Sequence, residues 1–361
     1  MPYSWGRKIK FDIYGASHAP SVGIRISGIP AGEKIDASEL SCFMLRRAPG
    51  QSEFTSKRCE KDLPVFLSGL TKDVTDGKEM VIDIENTDVR SSDYDPIKTI
   101  PRPGHADYAV RFKASGVADM RGGGRFSGRM TAPLCAAGGV CLQILKHRGI
   151  EICAHIASVY TVFDEAFEPM GESAECFEKL RKKSFPVKDD QKGERMKAAI
   201  RAAAAEGDSL GGTVECMITG VPAGFGGELL DGIESTVASL MFAVPAVKGV
   251  EFGAGFSAAG MYGSENNDEY CIREGRAVPA SNNAGGILGG ISTGMPILFR
   301  AAFKPVPSIA KTQKSVDLKT MEEVSLSVSG RHDPCILPRA VPIAEAVAAI
   351  AVLDILEGAD E

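Results

Sequence analysis

Two stretches that are apolar on every helical face constrain this fold more than any other feature. Residues 133–148 (Pro-Leu-Cys-Ala-Ala-Gly-Gly-Val-Cys-Leu-Gln-Ile-Leu-Lys-His-Arg) open on proline and are followed by Gly149, and Pro342 to Leu356 is built similarly. A helix without a polar stripe has to be surrounded by other elements. Strand-like segments at 81–84, 151–161, 213–219 and 296–303 supply the covering layers. The expected fold class is therefore α+β, a sandwich with central buried helices flanked by β-sheets. A chain of 361 residues, 44% of them hydrophobic, is long enough to bury such a core. The longest apolar run, around 341–356, is interrupted by Glu345 and Asp354 and falls short of the roughly 20 residues a membrane span needs.

The chain also repeats itself. Val22 to Ser27 alternates like a strand and ends in Gly28-Ile-Pro-Ala-Gly32, Glu33-Lys-Ile-Asp36, a helix through Leu40, Phe43 and Met44, and Pro49. Thr213 to Thr219, Gly220-Val-Pro-Ala-Gly224, Glu228-Leu-Leu-Asp231, a helix through Leu240 and Pro245 follow the same order. The recurrence predicts two pseudo-equivalent halves, roughly 1–150 and 200–361, merged into a single domain over 1–361. Residues 164–195, mixed in charge and holding Pro186 and Asp189-Asp190-Gln191-Lys192, read as an exposed linker-like insertion, and Ala198 to Glu206 as a surface helix.

Polar chemistry is concentrated in loops. Arg121-Gly-Gly-Gly-Arg-Phe-Ser-Gly-Arg129 joins glycines that allow close backbone approach to arginines matched to phosphate or carboxylate, just ahead of a helix for which Thr131 is the expected N-cap and Pro133 part of the first turn. Gly15-Ala-Ser-His18 follows the first strand, and Arg102-Pro-Gly-His105-Ala-Asp107 precedes a helix expected over 107–119. Ser281-Asn-Asn-Ala-Gly-Gly-Ile-Leu-Gly-Gly290 presents backbone donors, Lys304-Pro-Val-Pro-Ser308 is stiff, and Arg331-His-Asp-Pro334 sets a cation, an imidazole and a carboxylate side by side. Arg46 and Arg47 end a helix, where cations are favoured electrostatically, so capping and ligand binding both stay open there. His147 and His155 fall in regular elements and read as structural.

A net charge of −6 argues against a nucleic-acid surface, while local arginine clusters suit a small anionic ligand. Nine cysteines without a C-x-x-C pair, and an N-terminus unlike a signal peptide, suggest reduced thiols in the cytoplasm. Gly253-Ala-Gly-Phe-Ser-Ala258 fits a loose dinucleotide pattern, but Met261-Tyr-Gly-Ser follows it where a helix is required. No P-loop and no zinc or EF-hand spacing occurs.

Taken in order, Gly15-Ala-Ser-His18, Arg102-Pro-Gly-His-Ala-Asp-Tyr108, the 121–129 stretch, Ser281 to Gly290 and Arg331-His-Asp-Pro-Cys335 through Pro342-Ile-Ala-Glu-Ala346 resemble the signatures of chorismate synthases over essentially the whole chain. The resemblance implies elimination of phosphate from 5-enolpyruvylshikimate 3-phosphate to give chorismate, a requirement for reduced FMN, and a homotetramer. By matching positions it implies that His18 assists the departing phosphate, that His105 protonates the reduced flavin, and that Asp333 helps remove a flavin proton. It assigns flavin contacts to Arg125, Phe126, Ser127, Pro245, Ala246, Gly289, Lys304, Pro305, Val306, Pro307, Ser308 and Arg331, and substrate anion contacts to Arg46, Arg47 and Arg129. Three positions depart from the family's usual residues: Glu53 stands where arginine is usual, Phe126 where serine is common and Pro245 where asparagine is common. Two other readings compete, a flavin-binding protein without chemistry and an NAD(P)H-dependent flavin reductase without lyase activity. The first has no need of His18, His105 and Asp333 together, and the second needs a nicotinamide site that the sequence does not display.

Overall fold

Period-two alternation in the first sheet sends Val22, Ile24 and Ile26 to one face, and all three are fully buried in the computed structural model, which describes residues 3–56, 60–87, 99–113, 121–328 and 332–358. The sheet holds β1 (Tyr3–Trp5), β2 (Lys10–Gly15), β3 (Ser21–Ser27), β4 (Val65–Ser68) and β5 (Met80–Glu85) in the order β1-β2-β3-β5-β4, antiparallel throughout. Register places Val22 opposite Ile84 and Ile24 opposite Ile82, so the buried face continues across the ladder. Between β3 and β4 lies α1 (Ala37–Arg47), started by Asp36, whose carboxylate accepts from the Ser38 and Glu39 N–H groups.

The second sheet holds β6 (Glu151–Val159), β7 (Val162–Phe163), β8 (Gly212–Thr219), β9 (Val247–Phe252) and β10 (Ile297–Phe303) in the order β9-β10-β8-β6-β7, again antiparallel. Between the sheets run α2 (Thr131–His147) and α6 (Leu337–Gly358), with α5 (Ile233–Ala243) beside them. One continuous apolar core extends from the first sheet through these helices to the second. The helices approach so closely at Gly138 that a Cβ there would lie 2.3 Å from the Cβ of Ala346. Thr131 is the first helical residue of α2, not its cap; Met130 holds the cap position. The two G-x-P-A-G turns have matched backbones, with φ of +89° and +93° at Gly28 and Gly32 and +85° and +96° at Gly220 and Gly224.

The charges that interrupt the apolar run are both buried and both satisfied, as burial of an ion demands. Glu345 accepts from Nη1 and Nη2 of Arg46, at 2.6 and 3.0 Å, and from the Ala154 N–H at 3.0 Å. Asp354 accepts the N–H groups of Arg7, Lys8 and Ile9, tying the N-terminal strands to the far end of α6.

Two further expectations fail. Residues 164–195 are not an exposed linker: they contain α3 (Ala174–Lys182) and the start of α4 (Asp190–Ala205), and Phe167, Phe177 and Leu180 pack on Cys153, Met217 and Leu298 of the second sheet. The charged run 189–192 is a helix start, with Asp189 accepting from the Gln191 and Lys192 N–H groups. The helix expected over 107–119 is a 3-10 turn over Ala109–Phe112, and 114–120 lie outside the described residues.

Candidate active site

A cavity of about 800 Å³ opens at one end of the central helices. Trp5, Phe11 and Ile13 from the first sheet, Leu134 from α2, Phe242 from α5, Phe303 from β10 and Ile343 and Ile350 from α6 form its apolar part. Polar groups enter from loops at the ends of these elements. Arg125, Phe126, Ser127 and Arg129 come from the glycine-rich segment, Pro245 and Ala246 from the turn after α5, Lys304, Val306, Pro307 and Ser308 from the loop after β10, and His105 and Asp333 from two further loops.

His105 is fixed by its neighbours. Its Nδ1 lies 2.6 Å from Asp107 Oδ1, and Arg102 donates to Asp107 through Nε at 2.6 Å and Nη2 at 2.9 Å and to Ser308 Oγ through Nη1 at 3.1 Å. Burial pushes the Asp107 carboxyl up, but hydrogen bonds from Arg102 and His105 hold it well below the usual carboxylate range. With Nδ1–H donating to Asp107, a neutral ring keeps Nε2 as acceptor. A Cβ on Gly123, whose φ is +86°, would stand 3.4 Å from that nitrogen, so the glycine keeps the approach to His105 open.

Asp333 is oriented from two sides, accepting the Ser56 N–H at 2.6 Å and Arg339 Nη1 at 2.7 Å. Burial lowers the Arg339 pKa from its ordinary value, and Arg47 adds to that effect while Asp333 opposes it. Burial likewise lowers the Lys304 ammonium, with the neighbouring Lys248 contributing in the same direction. Both lysines line the cavity, so an anion near them would relieve a repulsion that exists without it. Ala246, whose carbonyl accepts the Lys304 N–H at 2.9 Å, has φ of +76°, a strained conformation for a residue with a Cβ.

Not every expected residue reaches this cavity. His18 does not line it, although its loop adjoins: the Ser17 N–H donates to the Gly124 carbonyl at 3.4 Å. Asn86 donates to the carbonyls of Ala16 and Ala19 while its Oδ1 accepts from Arg129 Nε at 2.7 Å, linking that loop to the cavity wall. Arg46 does not line the cavity either; Glu345 holds its guanidinium against α6. Arg47 is fully buried behind the wall and donates to Asp62 and to Thr131 Oγ1. Pro305 is absent from the lining, and Gly289 sits in a hairpin whose Gly290 carbonyl accepts the Ile233 N–H at the opposite end of α5. Arg331 and the side chain of Arg121 lie outside the described residues. Glu53 pairs with Arg201 on α4 at 2.7 Å, and that guanidinium also lies over the Phe54 ring, so the reversed charge has a partner of its own.

Several residues of the site escape sequence reasoning. Lys248 sits in a strand with no motif around it, and Glu60 of the lining and Asp62 behind it lie in an aperiodic polar stretch. Arg339 carried a usable signal, an arginine three residues ahead of an apolar helical run.

The residues present suit a flavin mononucleotide. Aromatic and aliphatic side chains offer a wall for a planar ring system, and Arg125, Lys248 and Lys304 offer positive charge for a phosphate.

An apolar cavity with cations, two oriented titratable groups and strained backbone at its edge, set into a two-sheet sandwich around buried helices, defines an enzyme for small anionic ligands. A family model described as chorismate synthase matches residues 9–356. The chorismate synthase of Lancefieldella parvula is 44% identical over 99% of this chain and 96% of its own length, and that of Pyrococcus abyssi is 46% identical over 97% and 96%. A crystal structure of chorismate synthase aligns with a TM-score of 0.73 at 28% identity, covering 98% of this chain and 92% of that one. The chain belongs to the chorismate synthase family, and it is a lyase.

Proposed function

We propose that the chain converts 5-enolpyruvylshikimate 3-phosphate to chorismate by 1,4-anti elimination, with reduced FMN bound in the cavity, and that it works as a cytoplasmic homotetramer. The carbon–oxygen bond to phosphate and a carbon–hydrogen bond across the ring break, and a second ring double bond forms. When bound, reduced FMN supplies an electron-rich ring and a basic nitrogen to a reaction without net redox change. Arg125, Lys248 and Lys304 hold its phosphate, and the apolar wall excludes water from its ring. Arg129 binds an anionic group of the substrate. His105, kept in one orientation by Asp107, and Asp333, kept by Arg339 and Ser56, hold and move protons at the wall. His18 gives a proton to the leaving phosphate, from a loop that Asn86 ties to Arg129.

The observation that supports this reading best is the convergence of His105, Arg129, Asp333 and the 304–308 loop, far apart in sequence, on one cavity. The test is anaerobic turnover with photoreduced FMN and 5-enolpyruvylshikimate 3-phosphate, following chorismate and released phosphate. The wild type forms both in equal amounts. His18→Ala slows turnover about 10²–10⁴-fold at saturating flavin and substrate, the usual contribution of a positioned general acid. Absence of chorismate from the wild type overturns the function. A His18→Ala variant that runs at full rate removes the histidine from it.

A further inference from the structure

Arg47 and Arg129 are permanently charged, buried and close together, and like charges repel strongly away from water. One carboxylate stands between them. Asp62 has a fully buried side chain; its Oδ2 accepts from Arg47 Nη2 and its Oδ1 from Arg129 Nη1. Burial pushes this carboxyl up, yet Arg47 and Arg129 hold it below the ordinary carboxylate value. Its φ of +50° is one that residues with a Cβ seldom adopt, so the local backbone is shaped to place the carboxylate between the two guanidinium groups.

Arg129 lines the cavity and Asp62 does not. The other hydrogen bonds of Arg129 set its tilt: Nε donates to Asn86 Oδ1 at 2.7 Å and Nη2 to the Glu85 carbonyl at 3.0 Å, with Glu60 3.3 Å from Nη1. Arg47 is held by Thr131 Oγ1 at 3.2 Å and the Gly128 carbonyl at 3.4 Å. Gly128 and Thr131 flank Arg129 in the chain, so Arg47 is anchored on the same segment that carries Arg129.

We propose that Asp62 is a positioning residue for anion recognition, which, by bridging Arg47 and Arg129 from behind the wall, fixes the guanidinium that Arg129 presents to the substrate. The proposal rests on the reading above, that the cavity takes a phosphorylated dicarboxylate. An asparagine in its place keeps the size but turns an N–H₂ group toward one of the two cations, whereas glutamate keeps the charge with a longer reach.

The test measures equilibrium affinity for 5-enolpyruvylshikimate 3-phosphate and, separately, for FMN, in wild type, Asp62→Asn and Asp62→Glu, with circular dichroism as a check on folding. Asp62→Asn weakens substrate binding about tenfold or more and leaves FMN affinity within about twofold, in line with loss of a charge-assisted contact. Asp62→Glu restores part of the loss, and in turnover the KM of Asp62→Asn rises more than kcat falls. Unchanged substrate affinity in Asp62→Asn, equal loss for both ligands, or no recovery in Asp62→Glu overturns the proposal. If Asp62→Asn does not fold, Asp62→Glu decides: a substrate loss larger than its FMN loss supports the role, and equal losses refute it. A wild type that binds substrate and forms no chorismate refutes the functional reading alone.

Discussion

Removing the Arg46 guanidinium should damage the fold and leave the active site intact. Arg46→Ala strips Glu345, whose side chain is 1% exposed, of two of its three donors and leaves the Ala154 N–H. Breaking a buried pair from one side costs about 3–5 kcal/mol. A ceiling follows from the alternative of protonation, since neutralising an ordinary glutamic acid at pH 7 costs about 3.7 kcal/mol. The expected loss is therefore about 3–4 kcal/mol. With an unfolding entropy of roughly 2.1 cal/mol/K per residue over 361 residues, that lowers Tm by about 4–5 °C. Arg46→Met combined with Glu345→Leu should recover much of it, because neither charge is left alone. The assay pairs thermal unfolding of the ligand-free protein, followed by circular dichroism, with the KM for substrate. A KM raised tenfold at unchanged Tm would refute the reasoning and return Arg46 to the ligand.

Two further predictions concern the packing outside the cavity. His155 has no exposed side-chain surface and bridges Asp164 at 3.0 Å and Glu215 at 3.1 Å; burial lowers its pKa, but the two carboxylates raise it above the ordinary value. Its contribution to stability should be complete below about pH 6.5 and fade as pH rises through the higher folded value. His155→Gln should flatten that decline in Tm, and a wild-type Tm that does not fall above pH 6.5 argues against a charged imidazole. Gly138→Ala should cost about 1–3 kcal/mol by overpacking against Ala346, with Ala346→Gly compensating; thermal unfolding of the single and double variants measures both, and an unchanged Tm in Gly138→Ala contradicts the contact.

Helix burial was legible because it depends on composition around the whole circumference of an element, a property that sequence displays directly. The strands at β3, β5, β8 and β10 were legible for a related reason, their alternation or apolar runs. The start of α6 was less so: Pro342 looks like a first residue, whereas the helix begins at Leu337 and accommodates the proline inside. The 164–195 stretch misled because helices packed on the outer face of a sheet need only a few apolar anchors, here Phe177 and Leu180, among many charges. In the site, residue types were readable and partners were not. Arg46, Arg47 and Arg129 are equal as sequence, and what separates them is which carboxylate lies nearby: Glu345, nearly 300 positions away, or Asp62, in a stretch without any period.

Leu134, Ile343 and Ile350 belong to the central helices and to the apolar core, and the same side chains line the cavity. At these positions the lining of the cavity and the scaffold are the same side chains. Carving room for a bulkier ligand, by Ile350→Ala for instance, would remove methyl groups that hold the sandwich together, so ligand scope and thermal tolerance cannot be adjusted separately at these positions. Lys304, Val306, Pro307 and Ser308, in the loop after β10, line the cavity without belonging to that core. Changes in specificity that spare the fold therefore have to come from the rim.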